Sequence, residues 1–186
     1  VFLLAGCYLP SDFVADLRIT PDGDYNFQYT GQLTYVPLLE KIREGGLSQL
    51  ETAEQVKTVI ADLARDKGFE EISYVDSATF RVRYKRVGNI LREKSYTFVR
   101  INARLLSMER RADGTVVIFG DKPNTADAQR IAATGTVMRG QFRIQTEADV
   151  VQHNATEVME VAPPVYVWRI DGVEQPSPQL ILSARR

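Results

Sequence analysis

Few side chains in this 186-residue chain have the type and spacing that chemistry needs. His153 is the only histidine, which excludes a zinc site built on a histidine pair. It leaves one candidate base for a Ser/His/Asp or Cys/His arrangement. His153 lies in Val150-Val151-Gln152-His153-Asn154-Ala155, at a strand end or turn, where a structural or solvated role is expected. Asp22-Gly23-Asp24-Tyr25-Asn26 opens like a calcium loop. Phe27 stands where the loop needs glycine and no acid closes it, so a hairpin turn is expected. Asp16, Asp24 and Glu71 are the carboxylates that could meet in space as a glycoside-hydrolysis pair. No P-loop, G-x-G-x-x-G or G-x-S-x-G pattern occurs, and neither a metal nor a cofactor is expected. Asn154-Ala155-Thr156 matches the glycosylation sequon and reads as chance.

The basic residues carry a stronger pattern. Arg81, Arg83 and Lys85 alternate with Phe80, Val82 and Tyr84, so one strand face is cationic and the other apolar. Residues 81–111 hold 10 Lys/Arg against 2 Asp/Glu, net +8, whereas residues 1–76 hold 6 against 13, net −7. The cationic face suits anionic lipid headgroups or an anionic polymer. It also suits cross-strand pairing with Glu93, Glu109 or the acidic first third, and that reading is preferred. The chain's net charge of −1 gives no expectation of nucleic-acid binding.

Positioning these groups falls to a mixed set of elements. Asp24 to Tyr35 alternates without a break, with Tyr25, Phe27, Tyr29, Leu33 and Tyr35 on one face. Phe13, Ala15, Leu17 and Ile19 alternate upstream, and Pro21-Asp22-Gly23 supplies turn chemistry between them, predicting a hairpin. Pro37 starts a short helix that Gly45-Gly46 stops. Ser48 and Glu51 form a capping box for a second helix over 49–67, ended by Gly68. From Phe69 the pattern predicts strands at 69–75, 79–87, 95–102, 104–110, 115–119, 136–145, 164–170 and 179–183, with a short helix from Thr125 to Ala133 as an option. Short strands with tight turns favour antiparallel pairing, so the expected class is α+β. At 44% hydrophobic content the chain can build one sizeable core. Tyr25, Phe27, Tyr29, Phe80, Tyr84 and Trp168, with Tyr96 and Phe98, could line an apolar cavity or fill that core.

The N-terminal residues Leu4-Ala5-Gly6-Cys7, preceded by Val1-Phe2-Leu3, resemble a bacterial lipobox, in which a signal peptide is cut before a cysteine that takes diacylglycerol. Six apolar residues cannot span a bilayer, which needs about 20, so the precursor is expected to extend upstream and the mature protein to begin at Cys7. Cys7 is the sole cysteine, and once it is lipidated no disulfide can form. Residues 1–6 are therefore expected to be residual signal peptide, 7–11 a lipidated tether and 12–186 a single α+β domain. The last third resembles the LppM-like family of bacterial lipoproteins: Gly140-Gln141-Phe142-Arg143-Ile144, then Val150 through Asn154-Ala155, then Tyr166-Val167-Trp168-Arg169-Ile170. That resemblance implies an envelope-facing domain with an apolar cavity suited to lipid. The expectation is a non-enzymatic, periplasm-facing lipoprotein that is held at a membrane through Cys7 and binds lipid or an envelope partner. The alternatives are a subunit of an envelope assembly and a carboxylate-dependent hydrolase. Tyr8 stands where many inner-membrane lipoproteins carry aspartate, which favours the outer membrane.

Overall fold

The computed structural model describes residues 8–100, 103–121 and 125–183. It opens with β1 (Tyr8–Ile19) and β2 (Asp24–Tyr35), an antiparallel hairpin as the alternation predicts. Its turn requires Gly23, whose φ is +81° and whose absent Cβ would lie 2.5 Å from Leu91. Next come α1 (Val36–Arg43) and α2 (Gln49–Leu63), the latter with the Ser48–Glu51 capping box in place. The expected helix to residue 67 ends earlier, because Arg65 and Asp66 already turn back on Asp62 and Leu63 toward the next strand.

The remaining elements are β3 (Phe69–Tyr74), β4 (Thr79–Asn89), α3 (Ile90–Glu93), β5 (Ser95–Arg100), β6 (Ala103–Arg110), β7 (Thr115–Phe119), α4 (Thr125–Ala133), β8 (Arg139–Thr146), β9 (Asp149–His153), β10 (Glu157–Met159), β11 (Val165–Asp171) and β12 (Gln179–Ser183). One sheet runs β10-β11-β8-β1-β2-β4-β3 and the other β5-β6-β7-β12-β9. Pairing is antiparallel in both except between β1 and β8. The class is therefore α+β with mainly antiparallel sheets. Beyond the expected pair, α4 has the bounds of the optional helix from Thr125 to Ala133, α3 is an addition, and β9 and β10 were not anticipated.

The inner faces of the two sheets meet in one core. The rings of Phe27, Tyr29 and Tyr84 from the first sheet stand 5.2, 4.9 and 4.7 Å from Phe98 of the second. The aromatic face of β2 thus packs against a sheet, while Val56, Val59 and Leu63 of α2 cover the β3 side of the core.

Residues 8–11 correct the expected tether. They form the start of β1, pairing with Tyr35 through Gln32, and Tyr8 and Leu9 are buried. The Tyr8 ring lies tilted against that of Tyr35 at 5.0 Å, which gives that end a packing reason to be ordered. Pro10 is tolerated because β8 joins β1 only from Phe13 onward, so β1 is locally an edge there. The turn-forming residues Ser11-Asp12 are used as a bulge inside the strand, with Asp12 at φ +45°.

Candidate functional site

Tyr25, Phe27, Tyr29, Phe80, Tyr84 and Trp168 are all buried, none more than 4% exposed. The rings of Tyr25, Phe27, Tyr29 and Tyr84 pack on Tyr96, Phe98 and Phe69, and that of Phe80 on Tyr74, so side chains in contact fill the space among them. Their phenols are satisfied internally. Tyr96 donates to Tyr84, which donates to Asp66; Tyr25 donates to Glu93 and accepts from Arg86. Burial pushes the Tyr25 and Tyr84 phenols up to about 12 and raises those of Tyr29 and Tyr96 as well. These groups stay protonated and act as interior hydrogen-bond donors.

Trp168 has a separate role. Its Nε1 donates to Asn154 Oδ1 at 2.7 Å, and the same oxygen accepts from the Gln179 backbone N–H at 2.8 Å. Asn154 Nδ2 donates to the Ser177 carbonyl at 3.0 Å. Asn154 follows β9 of one sheet and Trp168 lies on β11 of the other, so this amide ties the two sheets together. The valine–asparagine and tryptophan signature of the last third is therefore a packing device. It also commits the amide nitrogen that a glycan would need.

Arg81, Arg83 and Lys85 project from the outer face of β4, as the alternation predicts, and are exposed. Arg83 is held by Glu70 at 3.1 Å and Glu71 at 3.8 Å from neighbouring β3, so the internal-pairing reading applies to it. Across β2 and β1 the same face carries Thr30, Gln28 and Asp16, the last clasped by Arg143 of β8 through two hydrogen bonds. A shallow hollow of about 400 Å³ lies there among Asp16, Arg18, Asn26, Gln28, Arg143 and Gln145.

A more polar hollow lies at the end of the sandwich where β1 begins. A pocket of about 420 Å³ is lined by the hydroxyl residues Ser11, Thr34, Ser77, Thr79, Thr134 and Thr136, by Arg43 and Arg139, and by Asp12. It is assembled from the β1 bulge, the end of β2, the β3–β4 turn, α1 and the segment between α4 and β8. Among the described residues, four that are not glycine have positive φ; Asp12 and Ser77 line this pocket, and Ala78 follows at φ +59°. Such conformations cost roughly 1–3 kcal/mol each and collect at ligand clamps. Thr34 and Thr79 share a hydrogen bond at 2.9 Å, as do Thr134 and Thr136. Arg43 donates to the Ala133 carbonyl, and Arg139 leans on Asp171 at 3.4 Å. Asp12 makes no ion pair among the described residues. Arginine and hydroxyl donors facing one volume suit phosphate oxygens, and Asp12 suits a hydroxyl or ammonium donor.

The other sequence candidates are dispersed. Asp24 lies roughly 13 Å along β2 from the residue opposite Asp16. Glu71 is engaged by Arg83, and Asp24 accepts from Asn89, so the three carboxylates form no pair. His153 Nδ1 accepts from the Ala155 backbone, and its ring packs edge-on to Tyr166. No cluster of metal-ligating side chains occurs among the described residues. Cys7 and the cleavage residues Leu4, Ala5 and Gly6 lie outside them. The pocket itself was missed by sequence reasoning: its parts come from five distant segments, and scattered serine and threonine form no motif.

Two packed, mainly antiparallel sheets with helices at their margins define the class of this chain: an α+β sandwich. The folded domain of LppM from Mycobacterium tuberculosis, determined by NMR, has a similar fold, with a TM-score of 0.50 and 10% sequence identity over 100% of this chain and 95% of that one. No family model and no curated protein matches the sequence.

Proposed function

We propose that this chain is a bacterial envelope lipoprotein, cleaved after Gly6, diacylated on Cys7 and facing the periplasm, and that its domain is a binding module rather than an enzyme. Tyr8 in place of an inner-membrane aspartate assigns it to the outer membrane in this reading. The ligand is a polar, phosphate-bearing lipid headgroup taken by the pocket of Arg43, Arg139 and the surrounding hydroxyls. The observation that carries the proposal is the gathering of left-handed Asp12 and Ser77, two arginines and six hydroxyl residues around one volume, a few residues along the chain from Cys7. The shared fold with the LppM domain supports the envelope assignment. Metabolic labelling with a fatty-acid analogue tests the anchor: wild type should carry label and Cys7→Ser should not. Calorimetric titration of the purified lipoprotein with glycerol phosphate tests the site. Arg43→Gln and Arg139→Gln should each weaken binding about tenfold, equivalent to about 1.4 kcal/mol, while Lys85→Gln should leave it unchanged. Absence of binding, or equal binding by all variants, rejects the pocket.

The alternative of an envelope-assembly subunit draws on the edge strand β10, where Val158, Met159 and nearby Val161 are exposed. A stable stoichiometric partner lost on Met159→Lys would favour it.

A further inference from the structure

Tyr8 is buried, its ring tilted against that of Tyr35, and it is already paired in β1, so the folded domain begins at the residue next to Cys7. Consecutive Cα atoms are about 3.8 Å apart. An acyl-bearing Cys7 therefore brings the headgroup layer within a few ångströms of this end of the sandwich. The strand register identifies what else is there. Tyr35 receives a backbone bond geometry fixed by the β3–β4 turn, its N–H donating to the Ala78 carbonyl at 2.9 Å. Val75, at the start of that turn, is 42% exposed. Val137, on the segment leading into β8, is 55% exposed and borders the same pocket as Ser11. Two valines thus stand out into solvent on either side of the first strand, at the one end of the molecule that an anchor holds closest to lipid.

We propose that this end is a bilayer-contact surface, with Val75 and Val137 seated in the membrane interface and β1 running away from it. The inference rests on the anchoring of Cys7 proposed above and adds a fixed orientation to it. Buried apolar contact on both sides of a single acylated residue limits rocking of the domain, and it presents the hydroxyl pocket at headgroup level. The opposite end carries its own marker. Val87 is 66% exposed and pairs with Asn26, itself opposite Arg18, so it lies roughly 33 Å from Tyr8 along the strands.

The experiment uses the complete processed lipoprotein in vesicles of phosphatidylethanolamine and phosphatidylglycerol. Because acylation consumes the only native thiol, single variants Val75→Cys, Val137→Cys and Val87→Cys can each take one environment-sensitive fluorophore. The expected result is blue-shifted emission and several-fold weaker quenching by aqueous iodide at 75 and 137 than at 87. Equal quenching at all three positions, with Cys7 unreactive toward the dye in the parent protein, overturns the contact surface while leaving the anchor intact. Dye uptake by Cys7 itself overturns the anchor and the orientation together.

Discussion

Removing the amide of Asn154 should loosen the sandwich at a single point. Asn154→Ala deletes the acceptor of the Trp168 indole N–H and of the Gln179 N–H, and the donor to the Ser177 carbonyl. The three losses are unequal. Gln179 is exposed and the Ser177 carbonyl belongs to a surface loop, so water can replace the amide at both. Trp168 is 1% exposed, and its N–H has little access to solvent. An orphaned buried donor costs about 1–3 kcal/mol, so the expected loss is about 2 kcal/mol. With a urea dependence of about 2 kcal/mol per molar, the unfolding midpoint should fall by about 1 M. Trp168→Phe removes the donor together with part of the packing, and it should cost more in absolute terms. The double variant then isolates the contact: the two effects should fall short of additive by about 1 kcal/mol. Urea denaturation of the four proteins measures this. A loss below about 0.5 kcal/mol for Asn154→Ala, typical of an ordinary surface substitution, together with full additivity, would refute the view that this amide ties the sheets.

Two further outcomes follow from the core. Phe27→Ala, at a fully buried position that contacts Tyr84, Tyr96 and Phe98, should cost about 3–5 kcal/mol. Gln28→Ala on the exposed face should stay within about 0.5 kcal/mol, and denaturation giving the reverse order would contradict the register of β2. The buried phenols predict alkaline sensitivity. Tyr25 and Tyr84 are raised to about 12 when folded, chiefly by desolvation, against about 10 when unfolded. Below about pH 10 both states keep these protons and stability is full; it should be lost progressively as pH rises from about 10 through about 12, where the unfolded chain releases them first. Tyrosinate absorbance of the native protein checks it, and full titration near pH 10 before unfolding would exclude the shifts.

Much of the fold was legible where period and punctuation agree. The alternation from Asp24 to Tyr35 returns as β2 with the same ends, because one face must enter the core and the other stay wet. Ser48 and Glu51 mark the start of α2, since their side chains satisfy the helix's free N–H groups. The failures have physical causes too. Pro10-Ser11 falls in the expected tether because it carries turn chemistry, yet the chain pairs Pro10 in β1 and spends Ser11-Asp12 on a bulge. β9 and β10 are short edge strands with exposed residues, so they lack the apolar alternation that reveals a strand. Alternation placed Arg81, Arg83 and Lys85 on one face correctly, but the partners of Arg83 on β3 depend on register, which composition does not encode. The aromatic residues were identified correctly as interior. Whether rings line a void or fill it depends on the second sheet, whose Phe98 enters among three of them.

The parallel pairing of β1 with β8 links the candidate sites to the architecture. It inserts a strand from the last third beside the first strand, so β1 has β2 on one side and β8 on the other from Phe13 to Ile19. Gly140 is needed for this approach: a Cβ there would lie 2.4 Å from the Phe13 ring and backbone. The same insertion brings the segment before β8, with Thr134, Thr136 and Val137, next to the β1 bulge. Pocket, exposed valine and proposed anchor therefore share one cause in the topology. Loosening the β1–β8 pairing, for instance with Gly140→Val, should disturb all three together, whereas loosening β10 should disturb none of them.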